Sequence, residues 1–145
     1  MTSACIFCDI LSGLAPAFFV YRDDVCAAFM DIHPVNPGHV LVVPCKHAVL
    51  LPELDEASVR QMLWVAQRVD TALRASGIKC EGINLFMADG RTAGQDVMHV
   101  HLHVIPRFQG DGHHLRFSPA YFTLPAADEL VRNAEAIRKQ MEGIA

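Results

Sequence analysis

The sequence lacks any apolar run approaching the ~20 residues that a membrane-spanning helix needs. Its first 20 residues contain Asp9 and lack the basic segment and apolar stretch of a secretory signal. Basic residues are few: 12 Lys and Arg against 16 Asp and Glu give a formal charge of −4, with no basic stripe. We therefore expect a soluble, cytoplasmic protein with neither a membrane nor a nucleic-acid polymer as partner.

A disulfide framework is also missing. The chain has five cysteines, an odd number, and two of them, Cys26 and Cys80, lie in strand-like apolar runs. Cysteine at such positions is most often a small core residue. We therefore expect reduced thiols, as in a cytoplasmic protein.

Apolar sequence, by contrast, is plentiful enough for one core. The chain has 145 residues, of which 52% are hydrophobic and 19% charged, a composition typical of a single globular domain. We predict one domain over residues 1–145. Its core covers about residues 4–110, and a C-terminal loop and helix occupy residues 111–145.

Short apolar runs bounded by turn residues predict five strands. The first two flank Asp23 and Asp24 and form a predicted hairpin. The five predicted strands are residues 17–22, 25–30, 39–43, 82–88 and 98–105.

Two segments have the apolar spacing of amphipathic helices, residues 56–76 and about 126–142. The recurring apolar positions of the first are Val59, Met62, Leu63, Ala66, Val69 and Leu73, and the second presents Leu130, Val131, Ala134, Ile137 and Met141 on one side. Only one helix separates the third and fourth strands. The pattern therefore predicts an α+β fold with an antiparallel sheet, a long central helix and a C-terminal helix.

The fifth predicted strand contains three histidines at alternate positions, in HVHLHVI at residues 99–105. Alternation places His99, His101 and His103 on one face, and Val100, Leu102 and Val104 on the face that packs. The outer two histidines would lie about 13 Å apart, too far for one ion to bind all three. The pattern alone leaves packing, a zinc site with a further ligand, and histidine catalysis as alternatives.

The loop before these histidines favours a phosphate ligand. Gly90, Ala93, Gly94 and Gln95 are small or flexible enough for backbone N–H groups to form a concave anion site. A neutral imidazole is nucleophilic near pH 7, and water can cleave its phosphorus adduct. Loop and histidines together indicate phosphoryl or nucleotidyl transfer.

HVHLHVI resembles the H-x-H-x-H motif, followed by two apolar residues, of the histidine triad (HIT) family. AFMDIHPVNPGHVLVVPCKH at residues 28–47 is similar to the family's first sheet segment, and DGRTAGQDVMHVHLHVIPR at residues 89–107 to its phosphate loop and active strand. The resemblance covers roughly residues 4–110. It implies a five-stranded antiparallel sheet, a homodimer, and cleavage of a nucleoside phosphate at the α-phosphorus through a nucleotidyl-histidine intermediate.

The resemblance also implies a role for each site residue. The middle histidine of the motif, His101, is the nucleophile, and His39 lies beside it and orients its ring. The predicted catalytic residues are His101, His103 and His39. The predicted substrate contacts are Asp31 at the ribose hydroxyls, Ile32 and Phe7 at the base, and Gly94, Gln95, Asp96, Val97 and His103 at the phosphate.

The N-terminal CIFC raises a separate question, because C-x-x-C can be a redox pair, half of a zinc site or two buried thiols. The N-terminus resembles that of HIT proteins that bind zinc. Those proteins use the C-x-x-C pair, a histidine matching His47 and the first histidine of the motif. The resemblance therefore implies a structural Zn²⁺ bound by Cys5, Cys8, His47 and His99. It implies no organic cofactor.

Ala88 and Asp96 depart from the family pattern. Family members often have Asn or Gln at the first position and Ser or Thr at the second, so two donors to phosphate are lost. A carboxylate at position 96 would also repel phosphate. The substrate prediction stays at two classes, nucleoside phosphoramidates and dinucleoside polyphosphates. The alternatives are a nucleotide-binding or interaction module with little turnover and, third, a metal-dependent hydrolase.

Overall fold

The structure, a computed structural model, describes residues 5–144. The chain forms two compact units, one ending at His113 and one beginning at His114. The N-terminal boundary predicted for a single domain lies outside the described residues, and that domain assignment stays a prediction. No helix within the described residues is both long and apolar enough to cross a membrane.

The first unit contains a five-stranded sheet in which every neighbouring pair of strands is antiparallel. The strand order is β1-β2-β3-β5-β4. The strands are β1 Phe19–Arg22, β2 Cys26–Met30, β3 Val40–Pro44, β4 Gly82–Phe86 and β5 Leu102–Arg107. The predicted α+β class and antiparallel sheet are confirmed.

Each face of the sheet packs against a different helix. One face, including Val42 and Val104, forms a buried cluster with helix α2, Glu56–Ala75. The opposite face forms a second cluster with helix α1, Ile6–Ser12, whose buried members are Phe7, Ile10, Phe29, Leu41 and Val43. The alternation of side chains along β3 therefore feeds both cores.

Helix α2 matches its predicted range to within one residue. The Asp55 side chain caps it by accepting the Ser58 N–H at 2.8 Å, and Gly77 follows its end with φ of +82°. The predicted face is partly wrong, because Val59 and Leu63 are 38% and 58% exposed. Those two positions lie at the margins of the buried stripe, which consists of Met62, Val65, Ala66, Val69 and Leu73.

Strand β5 begins at Leu102, four residues later than predicted. The Val100 N–H donates to the Ala48 carbonyl at 2.8 Å, outside the sheet ladder, and pairing with β3 begins at Leu102 opposite Val42. His99 and His101 thus lie in irregular backbone. Val100, Leu102 and Val104 are nevertheless buried together in the α2-side core, as predicted.

Two helices lie near the ends of the chain. Helix α1 was not predicted, because the short CIFC segment has no helical periodicity long enough to detect. Helix α3, Ala127–Met141, confirms the predicted C-terminal helix. Its apolar positions are exposed, as is every described residue from 114 to 144.

Candidate active site and metal centre

The turn before β3 places His39 on the sheet face that also carries Leu41 and Val43. Gly38 has φ of +94°, and a Cβ there would lie 3.0 Å from Leu73 Cδ2 and 3.1 Å from Ile78 Cγ2. Both the backbone conformation and the space therefore require glycine. His39, which directly precedes β3, is only 2% exposed.

His101 has a defined proton position. Its Nδ1 lies 2.7 Å from the carbonyl oxygen of His99, and because a carbonyl can only accept, Nδ1 carries the proton. The lone pair of the neutral ring is therefore on Nε2. The ring is 6% exposed and packs edge-on against Phe7, with the centroids 5.2 Å apart.

His39 forms a close contact with His103, and its predicted role in orienting His101 stays a prediction. His39 Nε2 lies 2.9 Å from His103 Nδ1 and 3.6 Å from Asp31 Oδ2. The strand register explains this pairing, because His103 is opposite Leu41 and is a diagonal neighbour of His39 on the same face.

Burial keeps these two imidazoles neutral at pH 7. Burial, followed by the proximity of His101 and His39, lowers the pKa of His103 to about 4, although Asp31 and Asp96 oppose the shift. Burial also lowers the pKa of His39, with a smaller opposing effect of Asp31. The His101 and His103 rings are adjacent, with centroids 4.8 Å apart.

A group of two cysteines and two histidines joins the start of α1 to the irregular segment before β5. The ligand-type atoms of Cys5, Cys8, His47 and His99 all lie within 4.8 Å of one another. Tetrahedral zinc with Zn–N of about 2.05 Å and Zn–S of about 2.3 Å requires N···N separations near 3.3 Å and S···N separations near 3.5 Å. The structure has 3.3 Å between the two Nδ1 atoms, and S···N distances of 3.4, 3.4 and 3.6 Å. The donor set therefore fits zinc.

The ring proton of His99 is on Nε2, so that Nδ1 is available to bind a cation. His99 Nε2 lies 2.9 Å from the Pro44 carbonyl and donates to it, so the Nδ1 lone pair faces the cysteines. Burial and the neighbouring Cys5 raise the pKa of the Cys8 thiol to about 11. A bound dication would displace that proton.

Comparison with known proteins agrees with this geometry. The sequence model of the HIT domain matches residues 12–110. The chain belongs to the HIT family. It is 43% identical over 109 residues to an uncharacterized HIT-like protein of Borreliella burgdorferi, covering 74% of this chain and 78% of the relative.

Solved HIT structures share the fold over almost the whole chain. A zinc-bound histidine triad family protein from Mycobacterium smegmatis has 38% identity and a TM-score of 0.73, with 97% of this chain and 96% of that one covered. A histidine triad nucleotide-binding protein from Candida albicans has 26% identity and a TM-score of 0.85, with coverages of 98% and 100%.

The loop before β5, predicted to bind phosphate, uses some of its N–H groups internally. The N–H groups of Gly94 and Gln95 donate to the carbonyls of Arg91 and Gly90, so they are used inside the loop. The Gln95 side chain is buried and bridges the Gly90 N–H and the Val49 carbonyl, each at 2.8 Å. Gln95 therefore helps to shape the loop. The backbone N–H groups that remain as candidates for binding phosphate are those of residues 96 and 97.

The remaining predicted substrate residues occupy different environments. Asp31 is near His39 and His103, and its Oδ1 accepts the His33 N–H at 2.8 Å. Ile32 is 76% exposed and available to a base. Phe7 is 6% exposed and packs against the rings of Phe29 and His99, and its predicted contact with the base stays a prediction.

A polar network near the site was missed at the sequence level. The buried Asp111 carboxylate accepts from Arg107 Nε at 2.6 Å and from Asn36 Nδ2 at 2.9 Å. These bonds hold the segment after β5 against the loop that precedes His39. The only sequence signal was the i, i+4 spacing of Arg107 and Asp111, which is common on any helix and predicts no such contact.

Proposed function

We propose that this HIT protein binds a nucleoside phosphate derivative and cleaves it at the α-phosphorus through a nucleotidyl-His101 intermediate. The observation that supports it best is the Nδ1–H donated by His101 to the His99 carbonyl. That bond holds the ring in the tautomer whose Nε2 lone pair can attack phosphorus, without a general base for the attacking atom.

The proposed reaction has two displacements. His101 Nε2 forms a bond to the α-phosphorus while the bond to the leaving nitrogen or oxygen breaks, and that group leaves with the electron pair and takes up a proton. Water then attacks the same phosphorus, the N–P bond breaks, and nucleoside monophosphate and neutral His101 are released. His103 and the amides of positions 96 and 97 stabilise the charge on the phosphoryl oxygens.

Two substrate classes fit this chemistry, nucleoside phosphoramidates and dinucleoside polyphosphates. The Asp31 carboxylate is a suitable acceptor for the two ribose hydroxyls, and the exposed Ile32 offers an apolar contact to a base, for which a purine is the proposal. The loop DGRTAGQ resembles the branch that cleaves diadenosine polyphosphates, and CIFC resembles the phosphoramidase branch.

We also propose that Cys5, Cys8, His47 and His99 bind one structural Zn²⁺. The support is the match between the donor separations and tetrahedral geometry. The four residues come from three separate parts of the chain. A bound ion would hold the start of α1 to the segment that carries the nucleophile.

A second copy of the chain is the proposed partner. Strand β4 is at an edge of the sheet, with Leu85 and Phe86 each 47% exposed. The apolar side of α3 is also exposed, including Ile137 at 65%. A homodimer would cover such surfaces.

The proposed location is the cytoplasm, because a reducing compartment keeps cysteine ligands as thiols.

The decisive experiment incubates purified protein with diadenosine polyphosphates and, separately, with adenosine phosphoramidates. Mass spectrometry then measures released monophosphate and the mass of the trapped protein. Wild type should release monophosphate and carry a nucleotidyl adduct, and His101→Ala should do neither. The exposed His114 provides a control, because His114→Ala should behave as wild type. Adduct formation or turnover in His101→Ala would disprove the mechanism.

Ala88 and Asp96 support one alternative, a nucleotide-binding module with little turnover. Ala88 is 5% exposed and supplies no side-chain donor, while the Asp96 carboxylate is close enough to affect the pKa of His103. Calorimetric binding of a nucleotide by a protein that releases no monophosphate from either substrate class would establish this alternative.

A further inference from the structure

A backbone donor in the loop before β3 determines where His39 carries its proton. The Val35 N–H donates to His39 Nδ1 at 3.1 Å. A ring nitrogen that accepts a hydrogen bond from an amide carries no proton itself. In neutral His39 the proton is therefore on Nε2.

This proton position extends to the next ring. His39 Nε2 is 2.9 Å from His103 Nδ1, and the Asp31 carboxylate is farther away at 3.6 Å. The Nε2–H of His39 thus donates to His103 Nδ1, which must be unprotonated. Neutral His103 then carries its own proton on Nε2.

We propose that Val35 is a positioning residue: its N–H fixes the tautomers of His39 and His103, so that His103 presents Nε2–H as a donor to a phosphoryl oxygen. The phosphate contact depends on the proposed function. The proton assignment depends only on the hydrogen bonds among Val35, His39 and His103.

The same hydrogen bonds argue against metal binding by a second group of possible ligands, Asp31, His39 and His103. The ligand-type atoms of Asp31, His39 and His103 lie within 4.8 Å of one another. A cation on His39 Nε2 would force the ring proton to Nδ1. Two donors, that proton and the Val35 N–H, would then face each other 3.1 Å apart without an acceptor. The cluster therefore works as a chain of hydrogen bonds.

Long-range ¹⁵N–¹H imidazole spectra of the wild-type protein at pH 7 test the assignment directly. We expect both His39 and His103 to be neutral with the proton on Nε2. An Nδ1–H tautomer of either ring would overturn the proposal. The spectra need no substrate, so a protein without hydrolase activity would refute the proposed function and leave this test intact.

Two substitutions at position 35 separate the backbone donor from the side chain. Val35→Pro removes the N–H, and Val35→Ala keeps it and shortens a side chain that is 39% exposed. We expect Val35→Pro to show mixed tautomers at His39 and about 10- to 100-fold lower kcat, less than the loss of a complete oxyanion donor. Val35→Ala should match wild type. Unchanged tautomers in a folded Val35→Pro variant would contradict the positioning role.

Discussion

Phe7 offers a sharp test of how α1 supports the active site. Its ring packs edge-on against three others, with centroids 5.6 Å from Phe29, 5.8 Å from His99 and 5.2 Å from His101. Phe7→Leu keeps an apolar side chain there and removes the flat surface against the nucleophile. We expect slower turnover because the His101 ring gains freedom to rotate.

Phe29→Leu is the matched control. Phe29 is 2% exposed and contacts Phe7 and Phe19, without an aromatic contact to a histidine. Each edge-on pair contributes about 0.5–1.5 kcal/mol, so losing three pairs in Phe7→Leu should lower the free energy of unfolding by about 1.5–4.5 kcal/mol, and losing two in Phe29→Leu by about 1–3 kcal/mol. Only Phe7→Leu should also lower kcat, by about 10-fold, because small misplacements of a reacting group are costly.

Urea denaturation and steady-state kinetics on the better of the two proposed substrate classes provide the two measurements. The expected pattern is a lower free energy of unfolding in both variants and a kcat defect in Phe7→Leu alone, with KM little changed. Equal kcat values for the two variants would refute the inference that Phe7 orients His101 and would leave Phe7 as an ordinary core residue.

Three other perturbations have defined outcomes. Gly38→Ala should cost about 1–3 kcal/mol in urea denaturation, more than Gly13→Ala, because both have positive φ but only position 38 is crowded; equal costs would contradict the steric argument. Cys8→Ser should lose the zinc measured by elemental analysis and unfold at a lower temperature, whereas Cys45→Ser should keep about one zinc per chain; a zinc-free wild type would disprove the metal site. Because the pKa of His103 falls from 6.5 unfolded to about 4 folded, the unfolded state binds the proton first, and stability should fall as pH drops through that window. His103→Gln should show a smaller fall in the denaturation midpoint, and an equal fall would exclude His103 as a cause.

Patterns with a short period predicted the framework of the molecule. The spacing in residues 56–76 and the apolar runs gave α2 and the five strands, because burial follows directly from periodicity. The exact start of β5 did not follow, because it depends on the Val100 N–H reaching the Ala48 carbonyl, a contact between distant segments. Helix α1 is too short for its periodicity to be detected.

Hydrogen-bond partners were the part of the site that sequence could not predict. The family resemblance identified His39, His101 and His103, but the pairing of His39 with His103 depends on the β3–β5 register. The Gln95 side chain is of a type that can bind phosphate. Only the fold shows that its amide oxygen and its amide nitrogen both form hydrogen bonds with backbone groups. Such assignments need three-dimensional neighbours.

His99 contacts the proposed zinc ligands and the proposed nucleophile His101 through different atoms. Its Nδ1 faces Cys5 and Cys8, while its carbonyl oxygen accepts a hydrogen bond from the Nδ1–H of His101. An ion with visible absorption, such as Co²⁺, in place of zinc would therefore be a few bonds from the nucleophile. Its spectrum should report events at His101, so that adduct formation could be followed by colour without a labelled nucleotide.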